Sequence, residues 1–600
     1  MHRLRGVPAV AAIAVTTALA AGCSNPDIFV ESIEVTQAIQ TATNSLSLVS
    51  DRGTTVRVRV GVTGGGTASG VSGRLHVNVN GSAVTPPAGI APINAPFSAP
   101  NAASWSRDNE NHTLNFELPA VSGITTSADV DVVVNLDVLA GEPDTTNNSG
   151  TVDNLTALQR ILPQLYYTRI DYTPAGAGLP ALADIQQGVG DMFVRGIYPV
   201  NDADANLYRQ GLFPTLTWSQ DGNGNGQVDS GGEVSDILDW LESCRQLIVD
   251  NSGGNGDDIF LYGWIAGNPI VGNGWAPIGG RVAFGNTEHV RHQRTYAHEL
   301  GHNFGLDHNS RTLAPNTGWD TGARLANNPA SNNTTGRVKP TTLSDIMRGG
   351  QLTNSAWVDE PTYTFFLDHE VLDPAGDREG DRRYTARIVA ISGVLSTEGT
   401  QIVRLNPSFR YPWPSQPSLP FAGAAYIAEV IDSQGAAWNM PFSGMLGDDR
   451  DDQLVHFGFF TVRVRIPADR EANVVRIRRV SGEVLREMRR TRPPTLSLGE
   501  VSTGAVLDSI VELTFTVADP DTPLGDVRVQ FAYSADAGAT WVPIAVNVPG
   551  TETRVSFDAA QIQNTAGNSL GVLRAFASDG LNTVMAERRG FTVRSGRPRS

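Results

Sequence analysis

His298-Glu299-Leu300-Gly301-His302-Asn303-Phe304-Gly305-Leu306-Asp307-His308 is the stretch on which the reading of this 600-residue chain turns. On a helix, residues four apart share a face, so His298 and His302 present two imidazoles to one point. Glu299 lies beside that face and can reach a water there without being a ligand. Gly305 lets the chain leave the helix with positive φ, and His308 returns as a third nitrogen donor. Three protein ligands leave one position open, which is the arrangement of a catalytic rather than a structural zinc site. With this composition, chance places these fixed residues somewhere in the chain at a rate on the order of 10⁻⁵. His289 and His292 stand at no ligand spacing from the helical pair and are expected in a loop or behind the site.

Outward from the motif, from about 159 to 372, strands and helices mix. The stretch 162–170 reads as a strand and 181–198 as a helix. A second helix, 234–249, places Val234, Ile237, Leu238, Leu241, Cys244 and Ile248 on one face. The stretches 258–265 and 281–284 read as strands. On either side the grammar changes to period-two alternation between turn-rich stretches, clearest at 55–60, 130–136, 459–466 and 527–534. The expected architecture is multidomain: an α/β catalytic domain flanked by all-β immunoglobulin-like sandwiches, with blocks at 27–155, 159–372, 382–490 and 493–597.

Composition agrees. A chain with 40% hydrophobic and 18% charged residues, 62 Gly and 35 Pro is globular and rich in turns. Its net charge of −17 argues against nucleic acid as a partner. Lys339 is the only lysine, which reads as genomic bias. Ten arginines against four acids fall between Arg463 and Arg492, and alternation with valine assigns them to solvated strand faces.

At the start of the chain, Arg3 and Arg5 precede an apolar run over 7–21. The run is too short to span a bilayer, which needs about 20 residues, and has the proportions of a signal peptide over 1–22. Leu19-Ala20-Ala21-Gly22-Cys23 resembles the bacterial lipobox, although leucine sits one place early. The expectation is an exported protein, anchored at the outer membrane or cell surface by a lipid on Cys23, or otherwise secreted. Two cysteines make no disulfide framework, and Cys244 is expected as a buried, inert thiol.

The histidine motif resembles the signature of the metzincin metallopeptidases, over roughly 160–370. Ser344-Asp345-Ile346-Met347 resembles their methionine turn, 39 residues after His308. Many metzincins carry a tyrosine two residues after that methionine; here the position is Gly349. Trp357 and Tyr363-Thr364-Phe365-Phe366 resemble the closing segment of bacterial secreted members. The stretch 141–148 resembles the last hairpin of cell-adhesion-related (CARDB) sandwiches, and the final block a fibronectin-type module.

The resemblance implies a metzincin-like fold and a zinc endopeptidase acting on extracellular proteins or glycoproteins. His298, His302 and His308 would bind zinc, Glu299 would be the catalytic base, and Met347 a packing base beneath the histidines. Substrate would add a strand to the segment 279–284, taken as an edge. Separately, Asp221, Asn223, Asn225, Gly226 and Asp229 occupy positions 1, 3, 5, 6 and 9 of a calcium loop, with Glu233 one place late for the last ligand. A rival reading keeps the sandwiches as a surface adhesin with a zinc-stabilised relic domain, against which the retention of Glu299 speaks. Oligomeric state is not encoded in any of these signals.

Overall fold

The computed structural model describes residues 25–63, 66–118, 120, 127–160, 163–202, 207–211, 216–229, 231–252, 258–323, 325, 336–372, 386–396, 401–408, 423–444, 446–448, 458–559, 562 and 564–594. The leader expected over 1–22, and Cys23, lie outside them. The described chain is mostly β-sheet, in several separate sheets. Among the described residues, no helix is long and apolar enough to cross a membrane.

Period-two alternation builds the flanks. Asp27–Thr36, Thr54–Thr63 and Leu114–Leu118 form one sheet, and Ser149–Leu158, Ser127–Leu136 and Gly73–Val79 are the main strands of a second. Val56 and Val58 from the first and Val130, Val132 and Val134 from the second fill one core between them. Residues 386–489 repeat the plan around Ile391, Val430, Val462 and Ile477. Residues 495–593 repeat it around Phe515, Phe531 and Ala575.

The central block is built differently. Its main elements are β1 (Gln164–Tyr172), α1 (Gly231–Ser252), β2 (Ile259–Ile265), β3 (Gly274–Pro277), β4 (Val282–Asn286), α2 (His292–Phe304) and α3 (Glu360–Asp368). The strands share a sheet in the order Tyr208–Gln210, β1, β2, β4, β3, Leu446–Asp448. β1, β2 and β4 run parallel and β3 runs antiparallel to β4. The β2 sequence is apolar throughout because both its faces are covered. Phe260, Tyr262 and Trp264 pack towards Tyr296, Leu300 and Phe304 of α2. Ile259, Leu261 and Ile265 pack towards Ile237, Leu241 and Cys244 of α1. Full burial of each such side chain stabilises by about 1.5–3 kcal/mol.

Three expectations need correction. The helix expected over 181–198 is two short ones, Leu182–Ile185 and Met192–Ile197. Gly188 sits at φ +78° and donates its N–H to Asp191, and a Cβ on Gly190 would lie 2.6 Å from the Ile185 carbonyl oxygen, so the chain turns there. The strand expected at 281–284 begins at Val282 and is internal, with β2 on one side and β3 on the other, so no substrate can pair with it. Nor does Arg463 face solvent: it is 5% exposed and donates to Glu242 of α1. Other arginines of that run pair with acids outside it, Arg470 with Asp432, Arg476 with Glu429 and Arg492 with Asp521, which offsets part of the basic excess.

The first sandwich also reaches into the central block. Ala38, Ile39 and Leu46 belong to the core beneath α2, and Ile39–Gln40 pairs with Thr317–Trp319. The buried Arg52 guanidinium donates to the carbonyls of Gly196, Tyr198 and Val200.

Candidate metal centre

α2 carries His298 and His302 one turn apart, and both are fully buried. The helix ends at Gly305, whose φ of +108° and N–H bonds to the carbonyls of Gly301 and His302 turn the chain back. His308 then faces the helix. The three Nε2 atoms stand 3.1 Å from one another. Tetrahedral nitrogens at about 2.0–2.1 Å from zinc stand about 3.3–3.4 Å apart, so the triangle needs only a slight expansion to hold the ion.

The outer nitrogens explain why the inner ones converge. His298 Nδ1 donates to the Ile346 carbonyl at 2.8 Å, and His302 Nδ1 donates to the Leu306 carbonyl at 2.8 Å. These bonds assign the tautomers and leave the Nε2 lone pairs facing inward. Burial above all, and then the neighbouring cations, push the His298 imidazole well below its ordinary range; burial and His308 do the same for His302. Both rings are therefore held neutral, the form a metal needs. Among the described residues, this is the one group of three metal-type side chains with ligand atoms close enough to share an ion.

Glu299 is fully buried beneath β3. A Cβ on Gly274 would fall 2.7 Å from Glu299 Oε1 and 2.8 Å from Thr295 Cγ2, so glycine is what lets the carboxylate lie against the strand. Met347 packs under the helix: a Cβ on Gly301 would sit 2.4 Å from its sulfur. Trp357, Tyr363 and Phe366 complete that core. His289 and His292 are elsewhere, the first 3.6 Å from Asp184 and the second at 3.1 Å from the Asp184 carbonyl.

Sequence reasoning missed the struts around the centre. Asp345, fully buried, accepts from Asn309 Nδ2 at 2.7 Å, Met347 N at 3.1 Å, Asp359 N at 2.9 Å and Thr362 Oγ1 at 3.0 Å. It thereby ties the residue after His308 to the turn at Met347 and to the start of α3. Burial, and then Asp359 beside it, push this carboxyl up from the usual range. Arg294, one turn before His298, donates to the carbonyls of Ile346 and Arg348 and holds the same turn from the helix side. For α3 a signal existed, since Asp359 precedes Pro361 and caps Thr362 N at 2.8 Å.

The acidic loop is arranged otherwise. Asp221 accepts from the N–H groups of Gly224 and Gly226 at 2.7 and 2.8 Å. Asp229 accepts from the amides of Asn223 and Asn225 at 2.8 and 2.6 Å, and Glu233 from Gly222 N at 2.6 Å. The structure brings the loop residues together, Glu233 included, with their oxygens turned to donors of the loop itself. Cys244 is buried within the core shared with β2, which pushes its thiol well above the ordinary range.

No protein-family model and no curated protein matches the chain.

Proposed function

We propose that the chain is an exported zinc endopeptidase of metzincin type, with a metzincin-like catalytic domain between sandwich modules, acting on extracellular proteins or glycoproteins. The observation that carries this reading is the convergence of three inward-facing Nε2 atoms, 3.1 Å apart, beside a buried glutamate. His298, His302 and His308 would hold the ion, which when bound supplies Lewis acidity that polarises a carbonyl and acidifies water. Glu299 takes the proton of the attacking water and returns it to the leaving amine as the C–N bond breaks. Its burial beneath β3 shields that proton from bulk exchange. Met347 and Asp345 hold the histidine frame, and Gly349 supplies no tyrosine to the site.

The loop 221–233 is proposed as a weak calcium site, which needs its carboxylates to leave their present N–H partners. Anchoring through a lipid on Cys23 completes the reading. The test is to digest a protein library with the purified protein, with and without chelator, and map the new N-termini. Chelator-sensitive internal cleavages are expected. A zinc-replete protein that cuts nothing would favour the adhesin.

A further inference from the structure

The outer edge of β3 is occupied by the chain itself. Leu446–Asp448 pairs with it antiparallel, with Trp275 opposite Asp448, Ala276 opposite Gly447 and Pro277 opposite Leu446. β3 is also the strand against which the Glu299 carboxylate rests, through Gly274. Neighbouring strands lie about 4.8 Å apart, so a chain on this edge runs one strand spacing from the strand that covers the base. Cα atoms of the 446–448 segment approach those of α2 within 8 Å.

A sheet edge is a template for any extended polypeptide, because its N–H and C=O groups take main chain irrespective of sequence. The inner edge of β3 is used by β4, through Gly274 opposite Gly285 and Trp275 opposite Phe284. The outer edge is thus where an added strand would lie, and a segment from the third block already holds it. That block is moored on the far face of the sheet. Arg463 donates to Glu242 of α1 at 2.6 Å, Ser392 to Asp239 at 2.9 Å, and Phe459 enters the α1-side core. The segment therefore competes in cis, at high effective concentration, with any chain arriving in trans.

We propose that Leu446–Asp448 is an internal occupant of the polypeptide-binding edge of β3, so that the chain as folded is self-inhibited and engages a substrate only when this segment is displaced. The inference rests on the peptidase reading for its consequence, though not for the pairing. A single population fraction governs it: apparent affinity for a chain in trans is the intrinsic affinity reduced by the fraction of molecules with a free edge.

Two variants of the full chain test it. Leu446→Pro with Gly447→Pro removes main-chain donors and frees the edge; zinc content and unfolding temperature check that it folds. Ala276→Cys with Gly447→Cys joins residues directly opposite each other, at a spacing that antiparallel pairs and disulfides share, and locks the segment reversibly. Cleavage of an unstructured polypeptide should rise roughly ten-fold in the proline variant. In the locked form it should fall about ten-fold and recover on reduction with a phosphine. Binding of a fluorescent unstructured peptide to the same forms carrying Glu299→Gln should follow the same order. Equal cleavage by folded, zinc-loaded proline, locked and wild-type forms would overturn the inference while leaving the peptidase reading intact. Ordered peptide binding with no cleavage by any form carrying Glu299 would uphold the occupied edge and overturn the peptidase reading. Equal binding in every form would also overturn the inference.

Discussion

The histidine centre and the acidic loop both match metal-binding patterns, yet the structure orients their ligand atoms in opposite ways. In the centre each helical histidine spends its outer nitrogen on a fixed backbone carbonyl, Ile346 or Leu306, and the inner nitrogens meet at 3.1 Å. In the loop the carboxylate oxygens of Asp221, Asp229 and Glu233 are taken by N–H groups of their own segment. Spacing in sequence brings ligands into one neighbourhood, and the bonds behind them decide whether they point at one ion.

The sharpest way to break this contrast is to remove a histidine. His302→Ala should reduce zinc affinity by more than the ~10–100-fold typical of an outer partner, since among the described residues no fourth metal-type side chain joins the three histidines. Elemental analysis after dialysis against a weak chelator reads this directly. Wild-type zinc content in that variant would place the ion elsewhere.

The struts come next. In Asp345→Asn one acceptor oxygen becomes an N–H donor, facing either the Asn309 amide with Met347 N–H or the Asp359 N–H. Zinc affinity should fall ~10–100-fold through the His308 arm, with α2 still helical. Competition against a chromophoric chelator measures it, and an unchanged constant would make Asp345 a purely structural residue of α3.

Acid separates the two regions in pH. The His298 and His302 imidazoles are depressed in the folded state, so the unfolded chain binds more protons. Their contribution to stability is thus present above about pH 6.5 and is lost as pH falls through that range. Asp221 is lowered, by backbone N–H groups led by that of Gly226, so its contribution persists down to about pH 4. Metal-stripped protein should lose unfolding temperature between about pH 7.5 and 5.5, less so in His302→Gln, and Asp221→Asn should leave that slope unchanged. A slope that Asp221→Asn flattens would reverse the assignment.

The smallest effect is expected from calcium. Binding in the ~10⁻⁴–10⁻³ M range would reflect the cost of turning the loop carboxylates away from their donors. Terbium emission sensitised by Tyr172, whose hydroxyl donates to the Gln227 carbonyl beside the loop, and its reversal by calcium would report it. Sub-micromolar binding, or none at about 10 mM, would contradict this account of the loop.

The local elements were largely legible because their signals are local. Alternation over 55–60 and 130–136 gave strands, and the apolar face of 234–249 gave α1. The stretch 181–198 has a helical apolar pattern, but Gly188 and Gly190 carry a turn that periodicity does not weigh. What stayed hidden depends on distant partners. Arg463 reads as a surface strand arginine until Glu242 of α1 covers it. Ala38 and Ile39 read as part of the first sandwich, yet they pack beneath α2, with the Ala38 carbonyl taking the Trp357 indole N–H at 2.8 Å. The internal place of 282–286 required knowing that β3 folds back beside it. At the centre, the histidines and Glu299 are legible from spacing alone, while Arg294 acts through a backbone carbonyl 52 residues on and Asp345 through Asn309, 36 residues before it, and Asp359, 14 after it.

One measurement goes to the heart of the account: zinc content and peptide hydrolysis on the same preparations of wild type and Glu299→Gln. The substitution keeps size and helix propensity and removes only the base. Zinc stoichiometry and unfolding temperature should match wild type, while hydrolysis falls by at least the ~10²–10⁴-fold typical of lost general acid–base catalysis. Undiminished turnover by a zinc-loaded Glu299→Gln protein would contradict the role given to this glutamate.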